Sequence, residues 1–264
     1  MAAMAQLDFN AKVIERLESM YRIRDALRRR RLVRDALAAR PGEHVLDVGC
    51  GPGFYAAELL DQVGPEGSVT GVDSSADMLP VAASRCEGKG TATFLEGDAT
   101  ELPVEDASAD AALSVQVLEY VDEVPRALAE IHRALTPGGR VVLWDVDWST
   151  LSLHSSDSEL NERVLLGWDE HLAHPALPRT LAAQMRTAGF DDVKAEGHAF
   201  TTTDLDPETY GGALVPFIEK YVVEQDVLDP EVARAWGDDQ RALARRGEFY
   251  FAVIQFGFTG RRAR

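Results

Sequence analysis

The chain has 264 residues, 45% hydrophobic and 27% charged, enough to bury the core of a single domain spanning 1–264. Its 44 acidic residues against 27 basic ones leave a net charge of -17, which makes nucleic acid a poor partner because the average field repels a polyanion. Two cysteines, Cys50 and Cys86, are too few for a disulfide framework or a four-cysteine metal site and are expected to be small buried or half-buried residues.

No metal is expected, since His171 and His174 share i, i+3 spacing without an obvious third ligand. No segment approaches the roughly 18 to 20 apolar residues that span a bilayer, and the N-terminus lacks the apolar stretch of a signal peptide. A cytoplasmic location without membrane insertion is the default expectation. The acidic surface, with four lysines among its basic residues, fits either a protein working in concentrated salt or an acidic protein of a high-GC genome.

Residues 8–40 carry apolar positions at helical spacing (Val13, Leu17, Met20, then Leu27, Leu32, Val33, Ala36, Leu37) and predict N-terminal helices over 1–40. The arginine run 28–31 within them reads as a solvated helix face. After Pro41-Gly42, "HVLDVG" predicts a short buried strand entering a glycine loop, and "PGFYAAELLDQVG" a helix closed by Gly64. "SVTGVD", "ATFLEGD", "ADAALSVQ" and "RVVLWDVD" follow as strands separated by helical stretches, one of them ended by Thr136-Pro137-Gly138-Gly139. This alternation implies βαβ units, a parallel sheet and right-handed crossovers. Regularity breaks from residue 149, resumes with "RTLAAQMRTAGF" and "DVKAEGHAF", and breaks again in a helical insertion before the closing strand "FYFAVIQFGFTG".

The loop "VLDVGCGPG" has glycines at 49, 51 and 53, whereas a dinucleotide fingerprint needs a third glycine at 54, which is Phe54. A carboxylate at Asp47 opposes a pyrophosphate but suits an ammonium group. Asp73, at the tip of the second strand, stands where an acid accepts ribose hydroxyls. Asp98, ending the third, stands where an acid receives the exocyclic amine of adenine. An adenosine joined to an amino acid satisfies all three.

On these residues, and on "GVDSSADML", "LEGDATELP", "SVQVLEYVDE" and "LTPGGRVVLWDVD" in order, the sequence resembles the class I S-adenosylmethionine-dependent methyltransferases, in the small-molecule branch of the ubiquinone and menaquinone methylases. The resemblance covers 41–147. It implies a Rossmann-like α/β fold, a seven-stranded mostly parallel sheet with an antiparallel last strand. It further implies that Gly49, Gly51 and Gly53 approach the methionine part, Asp73 holds the ribose with Ser74 beside it, Met78 packs on adenine, and Asp98 with Ala99 contacts the adenine edge. Gln116 is expected at the methionine end, and Tyr21 over the cofactor.

Segments 148–178 and 204–247 are the expected substrate cap. Trp148, Trp168, His174 and Tyr210 are the candidate acceptor contacts, His171 the candidate general base and Asp145 a candidate pocket acid. The expected activity is methyl transfer to oxygen, nitrogen or carbon of a small apolar or aromatic molecule by a monomer or homodimer. The alternative is a regulatory or assembly protein that binds the cofactor without transfer. The Asn-Pro-Pro-aromatic signature of amide and base N-methylases is absent, with "SVQV" in its place.

Overall fold

The computed structural model of the protein describes residues 18–264. Seven strands, β1 (His44–Val48), β2 (Ser68–Asp73), β3 (Thr91–Glu96), β4 (Ala109–Val115), β5 (Leu135–Leu153), β6 (Phe190–Thr202) and β7 (Phe251–Arg262), form one sheet in the order β3-β2-β1-β4-β5-β7-β6. Strands β1 to β5 pair in parallel, and β7 runs antiparallel to both β5 and β6. The expected antiparallel closing strand is therefore present, inserted between β5 and β6.

Successive side chains along these strands point to opposite faces, and both faces are buried. Val45, Val69, Leu113, Val142 and Trp144 enter one core, and Leu46, Val48, Val72, Leu143 and Phe258 the other. Helices α1 (Arg24–Leu37), α2 (Phe54–Val63), α5 (Ser158–Asp169), α7 (Tyr210–Glu224) and α8 (Pro230–Arg246) contribute to the first core, while α4 (Val124–Ala134) and α6 (Pro178–Thr187) cover the second. In α4 the spacing Val124, Ala127, Leu128, Ile131, Ala134 puts every one of these residues on the buried side. A short helix α3 (Met78–Cys86) packs beside α2. Both cysteines are buried and free.

The N-terminal helical prediction begins at residue 8, and its part before 18 lies outside the described residues. Residues 18–22 are helical and lead into α1. Of the arginine run, Arg29 and Arg30 are buried at 5% and 4% exposure, so the run is only half a solvated face. Arg30 donates to Glu58 Oε1 at 2.8 Å. Two further differences concern β5. It starts straight after α4 and runs through Pro137 and Gly138, and it continues to Leu153 past the point where the polar "STLSL" suggests an end. After a register shift between Asp147 and Ser152, Ser152 and Leu153 still pair with Ala252 and Phe251.

The two insertions are helical, α5 in one and α7 with α8 in the other. Helix α8 starts at an Asp229 cap, followed by Pro230, and stops at Gly247 in the left-handed conformation. Helix α7 is fastened to the N-terminal helix, because Tyr210 N–H donates to Asp25 Oδ2 at 2.7 Å and Arg24 N–H to Glu208 O at 3.0 Å.

Candidate functional site

Strand order reverses between β1 and β4, and their carboxyl ends open a crevice there, the usual ligand position in an open α/β sheet. A cavity of about 460 Å³ fills it, within the size range of small-ligand sites. Gly49, Gly51, Asp73, Ser74, Met78, Asp98, Ala99, Gln116 and Tyr21 line it, together with Tyr120, Asp122 and Glu123.

Each loop glycine has a positive φ, of 72°, 50° and 79° at Gly49, Gly51 and Gly53. A Cβ at Gly49 would lie 2.1 Å from Val117 Cγ2, and one at Gly53 2.8 Å from Ala82 Cα, so these two glycines permit packing of the loop itself. At Gly51 the nearest atom to a Cβ is the Tyr21 hydroxyl, 3.9 Å away. There the bare backbone faces the cavity, a cradle that any side chain would fill.

Asp73 joins this cradle to the next strand. Its Oδ2 accepts from Gly51 N–H at 2.7 Å and its Oδ1 from Ser75 N–H at 2.9 Å. Burial raises its pKa, and the two backbone bonds work the other way. Each carboxylate oxygen keeps a lone pair for a hydroxyl. Asp98 Oδ1 is occupied by the N–H and hydroxyl of Thr100, at 2.7 and 2.6 Å, and these bonds lower its pKa. An adenosyl group with an amino-acid tail fits this donor set: a bare backbone cradle, a carboxylate placed for a diol, and Met78 as an apolar wall.

A smaller cavity of about 110 Å³ is walled by Trp148, Trp168, Tyr210, Leu214, Phe217, Met20, Ala26 and Arg29. Three further residues, Tyr21, Gln116 and Tyr120, line both cavities and so stand between them. The aromatic rings are mutually braced, Trp148 and Trp168 meeting edge to face at 5.5 Å and Trp168 and Phe217 likewise at 5.5 Å. Gln116 is held in place on three counts: its φ is +55°, its N–H donates to Trp144 O at 2.7 Å, and its Oε1 accepts from Arg29 Nη1.

Five sequence candidates lie outside both walls. Asp47 and Gly53 stand behind the glycine loop, where Asp47 is buried at 2% exposure. Asp145 is fully buried and lines neither cavity, and neither of its carboxylate oxygens makes a well-formed hydrogen bond. His171 is buried behind Trp168, with Nδ1 on Trp168 O and Nε2 unpartnered, and burial pushes its pKa down to about 4. The imidazole, expected as the general base, lines neither cavity. His174 bonds Asp122 O at 3.2 Å beside the larger cavity without lining it. Among the described residues no group of three or more His, Cys, Asp or Glu is arranged to hold a metal, and no helix is long and apolar enough to cross a membrane.

Sequence reasoning missed Arg29 and Glu119. Glu119 is fully buried, its Oε2 accepting from Trp148 Nε1 at 3.1 Å and Val146 N–H at 3.3 Å. Burial pushes its pKa up to about 7 against those bonds, and burial together with the Glu119 charge raises Asp145 well above the usual carboxylate range. Asp47 is likewise pushed to about 7, by burial and then by Asp73. These folded values exceed the unfolded ones, so the native protein holds protons that the unfolded chain releases. The stability they contribute is complete below the unfolded carboxyl range and is lost as pH rises through about 7. Glu119→Gln keeps both acceptor bonds and removes one titration, so its melting temperature should exceed the wild type's by several degrees near pH 8 and match it near pH 4. Thermal melts at the two pH values check this, and equal differences at both would remove Glu119 from the pH response.

Residues 46–143 match the family model described as a methyltransferase domain. The demethylmenaquinone methyltransferase of Staphylococcus aureus is 39% identical over 123 residues, covering 47% of this chain and 51% of that protein. The chain spans about half the length of the curated relatives it matches, 46% and 51% for the first two. Among solved structures, the YcgJ protein of Bacillus subtilis superposes with a TM-score of 0.60 at 18% identity, over 89% of this chain and 98% of that one. A phosphoethanolamine N-methyltransferase of Haemonchus contortus, solved with S-adenosylhomocysteine, superposes with a TM-score of 0.57 at 17% identity, over 90% and 53%. At these identities the superpositions show a shared fold. What the sheet order and the loop suggest agrees with the sequence matches: residues 46–143 match a methyltransferase domain, and over 123 residues the chain is similar to a quinone methylase.

Proposed function

We propose that the protein transfers the methyl group of S-adenosylmethionine to a small apolar or aromatic acceptor bound in the smaller cavity. The observation that carries this reading is the shared wall. Tyr21, Gln116 and Tyr120 line both spaces, so an acceptor held among Trp148, Trp168 and Tyr210 adjoins the methionine end of the cofactor site.

The bound cofactor supplies an activated methyl group on a positively charged sulfur. Asp73 accepts the ribose hydroxyls, Asp98 the adenine amine, and Met78 covers the ring, while the bare backbone at Gly51 leaves room for the tail. Gln116, fixed by Arg29 and Trp144, and Tyr21, stacked on Phe54 at 5.2 Å, define where the two ligands meet. Positioning and exclusion of water are then the main contributions of the protein. Neither an imidazole nor a carboxylate lines the acceptor cavity. Glu119 and His171, both displaced from their ordinary pKa by burial, lie outside its lining.

Calorimetric titration with S-adenosylhomocysteine and, separately, NADH tests the cofactor half of this reading. Micromolar binding of the first and none of the second is expected. A folded sample that binds neither would overturn it.

A further inference from the structure

One side chain in the smaller cavity does not belong to an apolar binding site. Arg29 is 5% exposed and its guanidinium belongs to the aromatic wall. Among the described residues it pairs with no carboxylate. Its Nη1 is satisfied by the neutral Gln116 amide, and its Nε is buried without any partner. Burial works against its charge while the tyrosines Tyr55, Tyr210 and Tyr21 around it favour it, and the net direction is upward, so the group stays a cation. Its neighbours on the same helix show the contrast: Arg30 and Arg34 both reach Glu58, at 2.8 and 3.1 Å. In a chain with net charge -17, a buried cation that forms no ion pair, its nearby carboxyl Glu119 being pushed by burial to titrate only at about 7, is a costly arrangement. It becomes favourable once a ligand brings the missing charge.

We propose that Arg29 receives an anionic oxygen of the methyl acceptor, so that the acceptor is a small flat acid, a carboxylate or phenolate carried on an apolar ring. This rests on the smaller cavity being the acceptor site. The shape agrees, because the cavity, at about 110 Å³, accommodates one substituted ring between Trp148, Trp168 and Phe217, with Arg29 in its wall. The chemistry agrees as well, since an acceptor that arrives ionised needs no group in the wall to take its proton. A guanidinium with a free N–H offers the charge-assisted bond that such an oxygen takes, and an ammonium acceptor would be repelled from the same place.

The test is calorimetric titration of the full chain, saturated with S-adenosylhomocysteine at pH 8, with benzoate, 4-nitrophenolate and the neutral isostere benzamide. At least one acid is expected to bind about tenfold or more tightly than benzamide, as a hydrogen bond to a charged group implies. The better of the two acids identifies the source of the oxygen. In Arg29→Met the preference should vanish, with any loss of S-adenosylhomocysteine affinity no larger than that of Gln116→Ala, whose side chain Arg29 holds, and Arg29→Lys should retain part of the preference. Equal binding of benzamide and both acids overturns the proposal. So does a loss of S-adenosylhomocysteine affinity in Arg29→Met that exceeds the loss in Gln116→Ala, which would assign the cation to the cofactor's own carboxylate. If S-adenosylhomocysteine binds but none of the three ring compounds does, the smaller cavity is not an acceptor site and the reading beneath the proposal fails with it. Should Arg29→Met not fold, the acid-to-amide ratio in the wild type and in Arg29→Lys still decides the matter.

Discussion

Asp73→Ala is expected to weaken S-adenosylhomocysteine binding by about 1.5 to 3 kcal/mol, one to two decades in Kd, because bonds from hydroxyls to a carboxylate fall in that range. The loss has a second origin in the same side chain. Asp73 anchors Gly51 N–H at 2.7 Å and Ser75 N–H at 2.9 Å, so its removal frees the loop that forms the cradle. Asp73→Asn separates the two contributions, since its one carbonyl oxygen can keep a single backbone bond while the carboxylate charge is gone. Titration calorimetry on both variants, with melts of the ligand-free proteins, gives the comparison. Affinity unchanged in both would remove Asp73 from the cofactor site.

Gly53→Ala is expected to act on the fold rather than on a ligand contact. Gly53 caps α2 with φ of 79°, where an L side chain costs about 1–2 kcal/mol. An added Cβ would also meet Ala82 at 2.8 Å from its Cα, on a helix that cannot yield without shifting α3 from α2. Conformational cost and overpacking together give about 2–4 kcal/mol, or a melting temperature lower by roughly 5 to 15 °C. Gly42→Ala is the control, because its φ is 83° yet nothing lies within 4 Å of its Cβ position. If the two substitutions cost the same, close approach of the loop to α3 is not what Gly53 provides.

The cofactor half of the molecule was legible because its signals are local. A buried strand, closely spaced glycines and an acid at the next strand tip lie in one continuous stretch, from His44 at the start of β1 to Asp73 at the end of β2. The acceptor half depends on packing between distant segments. Arg29 reads as solvated when the run of arginines is taken as a block. Taken with helical spacing, Ala26, Arg29, Arg30, Val33 and Leu37 form one stripe, and all five are buried. The signal was in the spacing, and the charge obscured it. His171 and Asp145 were chosen by residue type and position along the chain, and only the three-dimensional arrangement shows that Trp168 and the sheet enclose them. The length of β5 was hidden because residues 148–153 take their order from β7, nearly a hundred residues later.

The division between the two cavities also follows the chain. Every residue that lines the smaller cavity alone lies outside 46–143, either in the helical segments before it or in the segments from Trp148 to Phe217 after it. Only Tyr21, from the N-terminal side, reaches into both cavities from outside that stretch. On the proposed reading, inheritance can treat the two halves as separate parts. Descent can preserve the central stretch while drift and selection rework the flanks, so that gene copies diverge in what they methylate without relearning how to hold the methyl donor.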